Sequence, residues 1–265
     1  MRALAILLIA VALMGIHPAG SGQTRVDAAV PLDPAHNTPV PCEALGTPGL
    51  LPRSAKNIVH VANVCGFVGT DVEFQSRTLA DGSVRDYAFV GTMGAGLRIF
   101  DITDPAHPFL AGAYTDPGWQ GDVQVRGDVA AIGFDPVSST APTTSECLQA
   151  KAASTGQRTS GGVDVVRLAF DAGTGLFATS LIGCVAGNPG GGAHTLTLHP
   201  SGTWLAMSNP RTHGSVDVVD LRGAPTLLYR IVQAASLGNA VCAGVRCIWN
   251  GRSGVWSPHD LSFSR

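Results

Sequence analysis

Gly96-Leu97-Arg98-Ile99-Phe100-Asp101-Ile102-Thr103-Asp104-Pro105-Ala106-His107-Pro108 carries the clearest structural instruction in the chain. Leu97, Ile99 and Ile102 can pack between sheets, as the apolar positions of a short strand do. Asp101, Thr103 and Asp104 follow as side-chain acceptors suited to a tight turn, and Pro105 is pre-set for that turn by its fixed φ. A strand that ends in such a turn must continue into a neighbouring strand. The reading therefore extends outward in both directions.

The same texture recurs from about residue 57 onward. In a first unit the strands are Asp71-Val72-Glu73-Phe74, Tyr87-Ala88-Phe89-Val90-Gly91, Gly96 through Asp101, and Phe109-Leu110-Ala111-Gly112-Ala113-Tyr114. A second unit repeats the order with Asp122-Val123-Gln124-Val125, Val129-Ala130-Ala131-Ile132-Gly133, Gly162-Val163-Asp164-Val165-Val166 and Leu176-Phe177-Ala178-Thr179-Ser180. A third has Thr195-Leu196-Thr197-Leu198, Trp204-Leu205-Ala206-Met207-Ser208, Ser215-Val216-Asp217-Val218-Val219-Asp220 and Thr226-Leu227-Leu228-Tyr229. A fourth opens with Asp260-Leu261-Ser262-Phe263. Four short strands per unit, repeated, predict an all-β β-propeller of four-stranded blades. About three blades and the first strand of a fourth are visible, so the expectation is a partial propeller over residues 57–265. The chain is expected to be a fragment or truncated product, or else its leader closes a small ring. Residues 135–161 interrupt the second unit with a polar, low-complexity stretch, read as a surface loop. Trp204, at the start of a strand, reads as core.

The Gly96 to Pro108 stretch resembles the LVIVD-repeat motif, in which an apolar strand leads into Asp, an apolar residue and an Asp-Pro-x-x-Pro turn. Ser215 to Leu221 is similar but has Gly223-Ala224-Pro225 in place of the turn, and Gly162 to Leu168 has Arg167 where Asp is expected. The resemblance spans roughly residues 60–265. It implies an exported or surface β-propeller of poorly defined activity.

Composition bounds the function classes. The 265 residues include 17 basic and 19 acidic side chains, a formal net charge of -2, with 45% hydrophobic and 14% charged residues. That is enough apolar material for a core or a repeat array. A nucleic-acid binder needs a basic patch that this balance does not offer, and with Lys56 and Lys151 as its lysines the chain has no polybasic membrane-surface segment. Residues 1–22 read as a secretory signal: Arg2, then an apolar run over 3–16 that is short for a membrane span, then small residues. Residues 23–56 form a Pro-rich leader. No membrane span is expected after signal cleavage, and the protein is placed as secreted, periplasmic or on the cell surface. Six cysteines, Cys42, Cys65, Cys147, Cys184, Cys242 and Cys247, fit that compartment as disulfides. Six allow 15 connectivities; sequential pairing, 42–65, 147–184 and 242–247, is the working expectation.

Catalytic signatures such as G-x-S-x-G, HExxH or a P-loop are absent from the sequence. The chemistry that remains lies in one column. Aligning the first strand of each unit stacks Thr70, Gly121, His194 and His259, and then Asp71, Asp122, Thr195 and Asp260. First strands line the channel of a propeller, so these groups could ring its mouth. His194, His259 and Asp260 are the candidate ligands for a divalent metal, since imidazole and carboxylate suit a transition ion. Alternatively, the column satisfies exposed strand ends and channel waters. No cofactor is otherwise predicted.

Three functions follow. The first is a non-enzymatic exported scaffold that binds another protein or a cell-envelope component, on loops grafted to a repeat fold. The second is a metal-dependent enzyme, an oxidoreductase or hydrolase, with His194, His259 and Asp260 at the channel mouth. The third is a truncated product without function. Self-association that completes the ring would hide exposed edge strands.

Overall fold

The computed structural model describes residues 32–33, 38–39, 61–62, 64, 67–115, 121–135, 145–155, 161–187, 192–209, 215–233, 240–243 and 261–263. Three antiparallel meanders make up the body. The first sheet runs β3 (Gly69–Thr78), β4 (Val84–Thr92), β5 (Gly96–Asp101), β6 (Phe109–Tyr114); the pair β1 (Leu32–Asp33) and β2 (Thr38–Pro39) precedes it in sequence as a separate two-stranded piece. The second runs β7 (Gly121–Arg126), β8 (Val129–Phe134), β9 (Gly162–Asp171), β10 (Leu176–Ala186). The third runs β11 (Thr195–Leu198), β12 (Trp204–Asn209), β13 (Ser215–Asp220), β14 (Thr226–Gln233) and adds an edge strand, β15 (Ala240–Ala243). Each sheet is a blade in strand order, and the innermost strands β3, β7 and β11 lie side by side. This is the all-β, propeller-like architecture read from the repeats.

Register decides which face of each blade meets which neighbour. Phe89, Ile99 and Gly112 stand on one face of blade 1, because β4, β5 and β6 pair Phe89 with Ile99 and Ile99 with Gly112. That face packs on blade 2 through a cluster of Tyr87, Phe89, Ile99, Ile132, Leu168 and Phe177, each buried. Tyr87 meets Phe177 edge-on at 5.0 Å and donates its hydroxyl to the Gly175 carbonyl at 2.9 Å, so its polar end is satisfied within the seam. Fully burying a side chain of this size contributes about 1.5–3 kcal/mol. A second cluster, including Val163, Val185, Leu196, Leu205 and Met207, fills the seam between blades 2 and 3.

The seams are tight where backbone meets backbone. A Cβ at Gly91 would lie 1.8 Å from the Gly121 carbonyl oxygen, and one at Gly112 would lie 2.8 Å from Phe177 Cβ. Only hydrogen fits at either point.

Two expectations are corrected. The 135–161 insertion is not loop throughout: helix α1 (Glu146–Thr155) occupies its second half, with Leu148 and Ser145 fully buried. Leu148 is its buried apolar anchor, so no helical period was there to be read. Trp204 is 39% exposed rather than core. The pairing of Trp204 with Asp220 and of Ala206 with Val218 puts it on the face of blade 3 turned away from blade 2, where its ring meets His199 at 5.3 Å. Among the described residues no helix is long and apolar enough to cross a membrane.

Candidate functional site

The inner column is built by β3, β7 and β11, and its polar side chains bond from one blade to the next. Asp71 Oδ2 accepts a hydrogen bond from the Val123 amide at 3.0 Å. Asp122 Oδ2 accepts one from the Leu196 amide. Two residues further along each strand the pattern repeats: Gln124 donates to Glu73 Oε1 at 2.9 Å and accepts from the Leu198 amide at 3.3 Å. Thr197 Oγ1 donates to the Leu261 carbonyl at 2.7 Å, so residues 261–263 lie against β11 as the repeat alignment requires. Inner strands of successive blades are not joined by a ladder, and these side chains satisfy amides that a ladder would otherwise occupy.

Electrostatics follows from that packing. Burial, reinforced by the neighbouring Asp71 carboxylate, pushes the Asp122 carboxyl up to about 9. Asp122 therefore keeps its proton at neutral pH and offers it to Asp71. Glu73 is raised by burial and by Asp71, with the Gln124 hydrogen bond opposing. Asp122, protonated and engaged with a backbone amide, is a poor metal ligand, and both Asp71 and Asp122 act as inter-blade fasteners through the amides of Val123 and Leu196.

His194 is placed differently. Its amide donates to the Ser208 carbonyl at 2.9 Å, which seats it at the entry to β11 beside β12. Its Nδ1 lies 3.0 Å from Oδ2 of Asp135, the residue that follows β8. Asp135 is 7% exposed, and its Oδ1 has no hydrogen-bond partner among the described residues. Sequence reasoning missed Asp135, because it follows the second strand of its blade, 59 residues from His194. His259 and Asp260, the other two candidate ligands, lie outside the described residues.

A second column also escaped the sequence reading. Arg98, Asp164 and Asp217 take the same register on the third strand of each blade, opposite Val90, Ile132 and Met207. All three are buried. Tyr114 Oη, from blade 1, donates to Asp164 at 3.0 Å, and Ser145 Oγ donates to its other oxygen at 2.8 Å. Arg230 grips Asp217 at both oxygens, 2.9 and 2.8 Å, and reaches the Ala186 carbonyl of blade 2. Burial raises Asp217 and the guanidinium opposes it. Arg98 faces away from blade 2, on the side where Phe67 stacks on Phe100 at 5.8 Å. It donates to the Leu97 carbonyl at 3.2 Å, and burial lowers its pKa. The signal was available: one charged residue at the same place in three apolar strands.

Cys147 and Cys184 form a disulfide that ties α1 to β10, one of the three sequential pairs expected. With Asp164 they make the one group of three potential ligands within 4.8 Å of each other among the described residues. Both sulfurs are consumed by the bond, so the group offers no thiolate to a metal. Cys42, Cys65 and Cys247 lie outside the described residues, as does the side chain of Cys242 on β15.

Three meanders in blade order, with polar fasteners between inner strands, define a repeat-containing, β-propeller-like protein. Residues 84–116 match the LVIVD repeat, which covers the second to fourth strands of blade 1, so the chain carries that repeat where the sequence motif is strongest. No curated protein and no solved structure matches the chain.

Proposed function

We propose that this chain is an exported, non-enzymatic scaffold that captures a protein or a cell-envelope component on the insertion between β8 and β9. The observation that carries the reading is the mounting of α1. Leu148 is buried in the seam between blades 1 and 2, the Cys147–Cys184 disulfide fastens the helix to β10, and Glu146, Gln149, Ala150 and Lys151 are left exposed. An insertion held rigidly on a repeat scaffold, with a polar face outward, suits recognition more than packing. The signal-like residues 1–22 and the disulfide support export. The inner carboxylates Asp71 and Asp122 are engaged in fastening blades, which favours binding over catalysis at the channel.

The test is cross-linking in the native secretion or envelope fraction, comparing wild type with a Glu146→Ala/Gln149→Ala variant whose melting curve is unchanged. A discrete cross-linked species that is depleted in the variant is expected. Equal capture by both proteins, or no discrete species with either, would overturn the reading.

A further inference from the structure

We propose that Arg98 on β5 is a carboxylate-binding residue, whose Nε–Nη2 edge takes both oxygens of one acid group on the face of blade 1 turned away from blade 2. The residue is 5% exposed. Its side-chain hydrogen bonds both leave from Nη1, to the Leu97 carbonyl at 3.2 Å and to Thr115 Oγ1 at 3.4 Å. Neither acceptor carries a charge. Nε and Nη2, which present two parallel N–H donors, have no partner among the described residues. They are also absent from the unpartnered side-chain atoms that are sealed from water, which are Arg77 Nε, Asp135 Oδ1 and Ser215 Oγ. The free edge of this buried guanidinium therefore reaches solvent.

The charge is uncompensated. Burial alone acts on the Arg98 pKa and lowers it, with no neighbouring carboxylate opposing. The other described arginines avoid that cost. Arg77, Arg85, Arg222 and Arg230 each hold a carboxylate, and Arg126 and Arg167 are exposed. A cation taken out of water without a counter-charge is unfavourable, and an anion on its open edge offsets the loss.

The repeat shows what this position lacks. In the other two blades the third-strand charge is met from the fourth strand of the blade before it. Tyr114 donates its hydroxyl to Asp164, and the Ala186 carbonyl accepts from Arg230, which holds Asp217. Arg98 faces a side on which no described residue supplies such a group. Arg230 also shows the mode of binding, since its Nε and Nη2 take the two Asp217 oxygens at 2.9 and 2.8 Å. The edge that Arg230 uses is the edge that Arg98 leaves open. A planar carboxylate matches two parallel donors. A phosphate would bring further oxygens, to which the flanking side chains of Val90 and Ala113 offer no donor. Those flanks, with the Phe67–Phe100 stack beside them, favour an acid on an apolar stem.

The experiment uses the full secreted chain with 15N-labelled arginine. Sodium acetate or sodium hexanoate replaces chloride at constant ionic strength, and the arginine Nε–H resonances are followed. One resonance, assigned by its loss in Arg98→Met, is expected to move saturably, at lower concentration with hexanoate than with acetate. Calorimetric affinity for hexanoate should fall by about 10- to 150-fold in Arg98→Met. Two sources of the acid are distinguished by dilution. A free organic acid leaves the resonance at its unbound position until it is added. An acidic side chain of a second copy displaces the resonance beforehand, and dilution restores it as the dimer mass is lost. Either result upholds the site. A resonance that moves neither saturably with acid nor with dilution, or an affinity unchanged in Arg98→Met, would overturn it. The wild-type resonance decides the question even if the variant folds poorly.

Discussion

Asp71 on β3 reaches across the seam between blades 1 and 2 and accepts the amide of Val123 on β7, 3.0 Å away. Asp122, the residue before Val123, does the same for Leu196 on β11. The two fasteners are consecutive, and their carboxyl groups interact where they adjoin. A side chain that looks like a channel ligand in the sequence thus holds one blade to the next.

This coupling predicts a pH dependence. The folded Asp122 carboxyl is raised to about 9, whereas an unfolded carboxyl titrates near ~3.9. The unfolded state therefore sheds its proton first as pH rises. The stabilisation is complete below about pH 4 and is lost progressively toward pH 9. Glu73 and Asp217, also raised, act in the same direction. Melting temperatures across this range should fall less steeply in Asp122→Asn than in wild type. Parallel curves would contradict the coupling.

Gly91→Ala should be destabilising by about 1–3 kcal/mol or more, since its new methyl would meet the Gly121 carbonyl at 1.8 Å and force β3–β4 away from β7. Urea denaturation measures this directly. A midpoint equal to that of wild type would show that the seam gives way freely.

Breaking the Asp217–Arg230 pair should be costly in one direction and mild in the other. Arg230→Ala leaves a 1% exposed carboxylate without its guanidinium, a loss of about 3–5 kcal/mol. The double variant Asp217→Val/Arg230→Met should recover much of it, because apolar replacements remove the stranded charge along with the pair. A double-mutant cycle in urea reports the coupling. Additive effects would mean that the two residues act independently.

Removing the Cys147–Cys184 bond should lower stability by about 2–4 kcal/mol, since it closes a loop of 37 residues. Cys147→Ser/Cys184→Ser, compared with wild type in non-reducing conditions, should melt lower. Proteolysis should then cut first within the insertion that carries α1. Unaltered melting would place the anchoring of α1 on Leu148 alone.

The sequence by itself determined the blade. Alternating apolar residues at Leu97 and Ile99, followed by the Asp101 to Pro105 turn, are local chemistry, because a strand and the turn that ends it are decided within a dozen residues. Repetition of that unit was enough to predict stacked four-stranded meanders and to bring Asp71, Asp122 and Thr195 into equivalent places, with His194 one residue before them. Only the tertiary structure decided what those places do. Whether a carboxylate at the start of β7 binds an ion or an amide depends on the strand beside it, 74 residues away in sequence. The pairing of Asp135 with His194, the opposite charge of Arg98 against Asp164 and Asp217, and the buried face of α1 likewise arise between segments that periodicity cannot relate. Local propensity sets the elements. Long-range register sets which polar groups lose water together, and that desolvation gives each of them its partner and its chemistry.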